Sequence, residues 1–150
     1  MASDANASAR EIFLSDVIGG LSKSRKRLEP KYFYDARGAE LFNQICQLDA
    51  YYPTRTETGI LDTNADDIAH YLGTDAVLVE YGAGSLDKVR ILLDAISNPV
   101  ALIAVDISAD QLDRAANDVR AAYPELEVLH VAADFTRPVD LPEQIGRASC

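Results

Sequence analysis

Residues 76 to 96, AVLVEYGAGSLDKVRILLDAI, restrict what this chain can fold into more than any other stretch. Ala76, Val77, Leu78 and Val79 form a short apolar run of the kind that parallel sheets bury on both faces. Glu80-Tyr81-Gly82-Ala83-Gly84 ends it abruptly, and apolar residues return at Val89, Leu92, Leu93 and Ile96, the spacing of one helix face. A strand, a glycine turn and a helix are expected. Glycine lets the backbone turn sharply and lets a ligand approach it, while the first N–H groups of the new helix face the turn.

The alternation recurs downstream. Asn98-Pro99 breaks the helix, and Ala101 to Val105 reads as a second buried strand ending in Asp106. Ser108 is the expected N-cap of a helix with Leu112, Ala115, Ala116, Val119 and Ala122 on one face, closed by Pro124. Leu126 to Val131 reads as a third strand, with Asp134 and Phe135 just past its end. Strands and helices at this pitch specify an α/β fold, βαβαβ with right-handed crossovers, the first half of a doubly wound parallel sheet. Strand one is then left as an exposed edge. No internal repeat or low-complexity tract interrupts the pattern.

Upstream, residues 1–8 are small and polar and are expected to be disordered. From Ala9 to about Leu21, Ile12, Phe13, Val17, Ile18 and Leu21 make an apolar helical stripe expected to pack on the rest of the domain. A short basic run follows, Lys23, Arg25, Lys26 and Arg27, which reads as a solvated loop. Lys31 to Glu57, KYFYDARGAELFNQICQLDAYYPTRTE, is dense in aromatics: a loop, a helix carrying Leu41, Phe42, Ile45 and Leu48, and a second turn at Tyr51-Tyr52-Pro53. Such a segment either glues itself to the sheet or lines a pocket, and composition serves both readings. Thr56 to Leu72 reads as a helix with Ile60, Leu61, Ile68 and Leu72 inward, stopped at Gly73. The expected organisation is a helical segment over 9–73 and a sheet domain over 74–143.

Composition narrows the partners. A net charge of −10 opposes a nucleic-acid groove, which needs a basic stripe. No apolar run is long enough to span a membrane, and MASDANASAR lacks a signal-peptide core, so a cytoplasmic protein is expected. Cys46 and Cys150 are too few and too far apart for a disulfide framework or a metal site, and His70 and His130 stand alone, so no metal is expected.

In a doubly wound sheet, ligands bind outside the carboxyl ends of the strands, where the glycine turn, Asp106 and Asp134 all fall. A carboxylate at Asp106 can accept hydrogen bonds from both hydroxyls of a ribose. Together the three signals point to an adenosine-containing cofactor. The glycine spacing chooses among such cofactors. A dinucleotide fingerprint wants a third glycine where Asp87 stands, which would set a carboxylate near a pyrophosphate, and no Walker lysine follows. A nicotinamide-dependent oxidoreductase is the weaker alternative for that reason. E-x-G-x-G followed by a ribose acid and a third-strand Asp is similar to the S-adenosylmethionine signature of Rossmann-like methyltransferases. That cofactor carries a sulfonium cation and no phosphate, so an acidic rim containing Glu80 is tolerated.

The resemblance is more specific than the fold. The aromatic segment, then EYGAGSLDKVRILLDA, VDIS and ADFTRP, closely resembles the histidine-specific S-adenosylmethionine-dependent methyltransferases, the family of the L-histidine Nα-methyltransferase that makes hercynine for ergothioneine biosynthesis. It covers about Lys31 to Pro138 and rests on the YDARG, YYPTR and GAGSLDK blocks. It implies a Rossmann-like methyltransferase sheet preceded by a helical, aromatic-rich segment. It also implies cofactor binding by Gly82, Gly84, Lys88, Asp106, Asp134 and Phe135, and a small-molecule amine site containing Tyr51 and Tyr34. No residue is singled out as a general base. Other small amines, or a nucleoside-binding module without activity, are the alternatives.

Such a methyltransferase needs further strands to finish its sheet, so the chain is expected to be the N-terminal portion of a longer protein, inactive alone. Gln144 to Cys150, QIGRASC, back-translates into a common sequencing-adapter read-through, and residues 144–150 are expected to be non-native.

Overall fold

The computed structural model of the chain describes residues 8–142. Its helices are α1 (Ala9–Leu21), α2 (Ala36–Cys46), α3 (Pro53–Leu72), α4 (Asp87–Ala95) and α5 (Ala109–Ala122), and its strands are β1 (Val77–Tyr81), β2 (Ala101–Asp106) and β3 (Glu127–Ala132). The expectations placed on residues 1–7 and 144–150 lie outside the described residues.

The strands form a parallel sheet in the order β1-β2-β3, with Leu78 opposite Leu102 and Leu102 opposite Val128. Because β2 is paired on both edges, it carries the deepest apolar run, and Leu102, Ile103, Ala104 and Val105 are fully buried. On one face, Leu78, Leu102, Ala104 and Val128 pack with Val89 and Leu93 of α4 and with Leu112, Ala115, Ala116 and Val119 of α5. The two helices are the crossovers of the expected βαβαβ unit.

The departures from expectation are local. β1 is not buried on both faces: Leu78 packs with Val89 and Leu93 of α4, whereas Val79 and Tyr81, on the opposite face, are exposed, and the strand runs on through Glu80 and Tyr81. Ser108 sits at the N-cap of α5 without a side-chain cap bond; its N–H instead donates to Asp106 Oδ1 at 2.9 Å. Ala122, at the last position of α5, is exposed rather than inward.

Two compact units meet in sequence at Phe33 and Tyr34. In the first, Ser8 and Glu11 form a capping box that starts α1. Phe13 packs edge-on against Tyr32 with ring centroids 4.8 Å apart, and Asp16 accepts from the Tyr32 hydroxyl. The stripe of α1 is less covered than expected, with Phe13, Ile18 and Leu21 exposed. One helix and one 3-10 turn over Pro30–Phe33 offer it little cover within that unit.

In the second unit, Asp35 caps α2 by accepting from the Gly38 N–H at 2.7 Å. Leu41, Phe42 and Ile45 are exposed, and Leu48 lies beyond the helix end. α3 begins at Pro53, earlier than expected, because proline suits the first helical position. Its inner stripe is Leu61, Ala65 and Ile68, at i, i+4 and i+7, rather than the expected set. Ile60 falls off that stripe and is exposed; Leu72 keeps its spacing, at i+11, but stands at the last position of the helix and is exposed there. Gly73 stops the helix at φ +77°.

The ends of the crossover helices are tied together by Tyr123, whose hydroxyl donates to Asp94 Oδ1 at 2.6 Å. Burial and the adjoining Asp94 carboxylate push the phenol up to about 12. Tyr123→Phe is expected to cost about 1 kcal/mol of unfolding free energy, read from urea melts.

Candidate functional site

Seen from the backbone, the turn after β1 folds over the end of β2: the N–H groups of Gly82 and Ala83 both donate to the Val105 carbonyl, at 2.8 and 3.2 Å. Gly82 and Gly84 lie at φ +74° and +56°, where an L side chain costs roughly 1–2 kcal/mol. Conformation rather than crowding demands glycine there. A Cβ on Gly82 would touch the Phe135 ring at an ordinary 3.5 Å, and one on Gly84 would find its nearest neighbour 3.9 Å away. A third left-handed residue, Leu86, is not glycine at all. It holds φ +61° while its side chain is only 1% exposed, and burial worth roughly 2 kcal/mol offsets the strain.

Asp106 links this turn to the next crossover. Its Oδ2 accepts from the Gly84 N–H at 3.0 Å and its Oδ1 from the Ser108 N–H. A carboxylate offers about four acceptor positions, so capacity remains for hydroxyl donors. Past β3, Asp134 Oδ1 accepts from the Thr136 hydroxyl at 2.6 Å and backbone N–H at 3.1 Å, which shapes the loop that presents Phe135. The Phe135 ring meets Tyr81 at a centroid distance of 6.0 Å. Gly82, Gly84, Asp106 and Phe135, with Asp134 adjoining, are thus brought together outside the carboxyl ends of the strands, where doubly wound sheets take ligands.

Lys88 stands on the other flank of the turn. Its Nζ is 2.9 Å from Glu57 Oε1 of α3. The pair borders a cavity of about 140 Å³ that is also lined by Leu61, Leu78, Glu80 and Val89. Among the described residues Glu80 Oε2 has no hydrogen-bond partner, and it is buried. Desolvation pushes the Glu80 carboxyl up to about 7; Lys88 opposes the shift and Glu57 adds to it.

Tyr51 and Tyr34 flank α2. Tyr51 is half-buried with its ring edge-on to Phe42 at 6.0 Å, and Tyr34 is exposed ahead of the helix. Among the described residues no hydrogen bond or ring contact joins either tyrosine to the glycine turn. The loop bearing Tyr51 is firmly held: the Arg55 guanidinium donates to the carbonyls of Leu48, Asp49 and Tyr51 at 2.9, 2.8 and 3.1 Å.

Sequence reasoning missed Glu57 and Arg55, and it placed Glu80 on an acidic rim rather than in a partly buried position. Glu57 and Lys88 lie too far apart in the chain for spacing to pair them. Arg55 carries no local signal of its own beyond the YYPTR block. Glu80 was legible in principle, since period-two alternation places it on the helix-covered face with Leu78 once the strand extends that far. Among the described residues there is no group of three or more His, Cys, Asp or Glu able to hold a metal. His130 instead bonds to Arg120 and lies 3.4 Å from Asp113. No described helix is long and apolar enough to cross a membrane.

The donor set fits a cationic nucleoside better than a nucleotide. Asp87 occupies the first turn of α4 and accepts from Ser85 Oγ, so the helix start already faces a carboxylate. Asp106 and Phe135 offer acceptors and an aromatic face, and the left-handed glycines keep the turn free of side chains.

A βαβαβ unit with this turn and acid is that of a Rossmann-like methyltransferase. The model of a protein family described as histidine-specific methyltransferase, SAM-dependent, matches residues 13–149, and the chain belongs to that family. It is 42% identical over 143 residues to the histidine N-alpha-methyltransferase of Mycolicibacterium smegmatis, covering 93% of this chain and 44% of that protein. It is 30% identical over 151 residues to ergothioneine biosynthesis protein 1 of Neurospora crassa, covering 95% and 17%. A 4-dimethylallyltryptophan N-methyltransferase of Claviceps purpurea is 36% identical over 99 residues, covering 64% and 29%. The chain spans less than half the length of these curated relatives.

Proposed function

We propose that the protein is an S-adenosylmethionine-dependent N-methyltransferase acting on the α-amine of L-histidine to give hercynine. The observation that carries this reading is the Asp106 carboxylate bonded to the Gly84 N–H at the carboxyl edge of the sheet, an acid and a bare glycine turn in register for a nucleoside. Membership in a family described as histidine-specific and SAM-dependent supports S-adenosylmethionine as the nucleoside, and the names of the N-methyltransferase relatives support an amine acceptor.

When bound, S-adenosylmethionine supplies an electrophilic methyl group on a sulfonium. Asp106 accepts from the ribose hydroxyls, Asp134 from the adenine amine, and Phe135 presents its ring to the base. Gly82 and Gly84 leave the backbone open to close approach, and Lys88 pairs with the carboxylate of the amino-acid end. Tyr51 and Tyr34 orient the substrate amine by their hydroxyls while their ring faces favour the methylated cation. Transfer then requires a neutral nitrogen held in line, a task of positioning. Arg55 serves it by fixing the loop of Tyr51.

Titration calorimetry with S-adenosylhomocysteine on this chain, and a methylation assay with histidine on a chain extended to the length of its relatives, test the reading. Binding followed by formation of hercynine is expected. NADH binding without S-adenosylhomocysteine binding would overturn it. A second substrate class, an indole amino acid, is favoured by the 4-dimethylallyltryptophan N-methyltransferase relative. A higher kcat/KM on that amine than on histidine would move the assignment.

A further inference from the structure

The pair of Lys88 and Glu57 joins the first turn of α4 to the early part of α3 at a cavity that Glu80 also lines. We propose that Glu57 occupies the anion position of Lys88 and that the carboxylate of the cofactor displaces it, so that Glu57 sets the affinity for carboxylate-bearing ligands by competing with them. The inference rests on the assignment of Lys88 to that carboxylate.

Charge and exposure argue for exchange rather than addition. The ammonium of Lys88 is paired with Glu57 from α3, while burial favours the protonated form of Glu80 from β1, so an incoming carboxylate and Glu57 compete for the same cation. Glu80 is confined in the strand and its Oε2 is buried, so it is not the group that leaves. Glu57 is free to leave. Its side chain is 56% exposed and that of Lys88 36%, so their bond is a solvent-screened pair of small net worth, and water receives Glu57 when it swings away. Burial favours the protonated form of Glu80, which leaves the charge of Lys88 to Glu57 or to its replacement.

The competition predicts a selective gain. Glu57→Gln is expected to tighten S-adenosylhomocysteine binding roughly two- to fivefold in calorimetry on this chain, the size of a screened ion pair. The affinity for 5′-methylthioadenosine, which has the same nucleoside and sulfur but no amino-acid end, is expected to stay unchanged. In a Lys88→Gln background the gain is expected to vanish. Glu57→Ala, with thermal unfolding as a folding control, serves as a second variant. Unchanged or weaker S-adenosylhomocysteine binding by both Glu57 variants, or an equal gain for both ligands, would overturn the competition while leaving the cofactor reading intact. If the unaltered chain binds neither ligand, the cofactor reading falls and the competition falls with it.

Discussion

An Asp106→Asn chain is expected to keep its fold and to bind S-adenosylhomocysteine roughly a hundredfold more weakly than the unaltered chain, the loss of about two charge-assisted hydrogen bonds. Asp106 carries two duties in one side chain. Its oxygens accept from the backbone N–H groups of Gly84 and Ser108, which fixes the glycine turn against the start of α5. Its remaining lone pairs are the only part available to a ribose. An amide keeps one acceptor oxygen and replaces the other with a donor, so one of the two backbone N–H groups then faces an N–H. The amide still shapes a turn of this type, which preserves the local fold, but an oxygen spent on the backbone is no longer charged and accepts hydroxyls weakly. Calorimetry on the variant, with circular dichroism to check the fold, reads the outcome. Unaltered affinity in a folded variant would remove Asp106 from the ribose role and with it the main support for the functional reading.

The sheet and its two crossover helices were legible in the sequence because burial on both sides of β2 leaves no polar residue in Ala101 to Val105, and because Val89, Leu93, Leu112, Ala115, Ala116 and Val119 keep a strict helical spacing. The outer helices were less legible. Their apolar residues read as inward stripes, yet Phe13, Ile18, Phe42 and Ile60 are exposed, since periodicity reports that a helix has an apolar side and not what covers it. The glycine turn and the two acids after β2 and β3 were readable because topology alone fixes where strand ends lie. The partners of Lys88 and of the Tyr51 loop were not. The Glu57 bond depends on how α3 packs, which leaves no trace in local spacing, and the Arg55 clasp is made to backbone carbonyls four to seven residues back, acceptors that every residue carries. Leu86 ran against its type. A left-handed leucine is disfavoured locally and is tolerated because its side chain is buried in the core beneath the turn.

Between about pH 4.5 and pH 7 the stability of the chain is expected to contain a component that falls as pH rises, and Glu80→Gln is expected to remove it. Burial holds the Glu80 carboxyl up to about 7 in the folded chain against 4.5 for the free group. Through that window the folded chain keeps a proton that the unfolded chain has released, so unfolding becomes easier with each step upward in pH. Below the window both states are protonated and the full contribution is present. Above it both are ionised, and about 3 kcal/mol has been lost across the span. The charged groups facing Glu80 set this balance: Lys88 from α4 favours the ionised form and Glu57 from α3 the neutral one, while Ala104, its neighbour on β2, brings no charge. Self-repulsion in an acidic chain also weakens it as pH rises, but that effect is nearly common to both proteins and drops out of their difference. Urea melts at pH 5 and pH 8 are therefore expected to give Glu80→Gln a relative gain at the higher pH of up to about 3 kcal/mol. Parallel pH profiles for the two proteins would mean that Glu80 is hydrated and ionised in the folded chain. In that event the cavity beside Lys88 admits water, and the carboxyl that desolvation holds neutral would instead share the charge of Lys88 with Glu57.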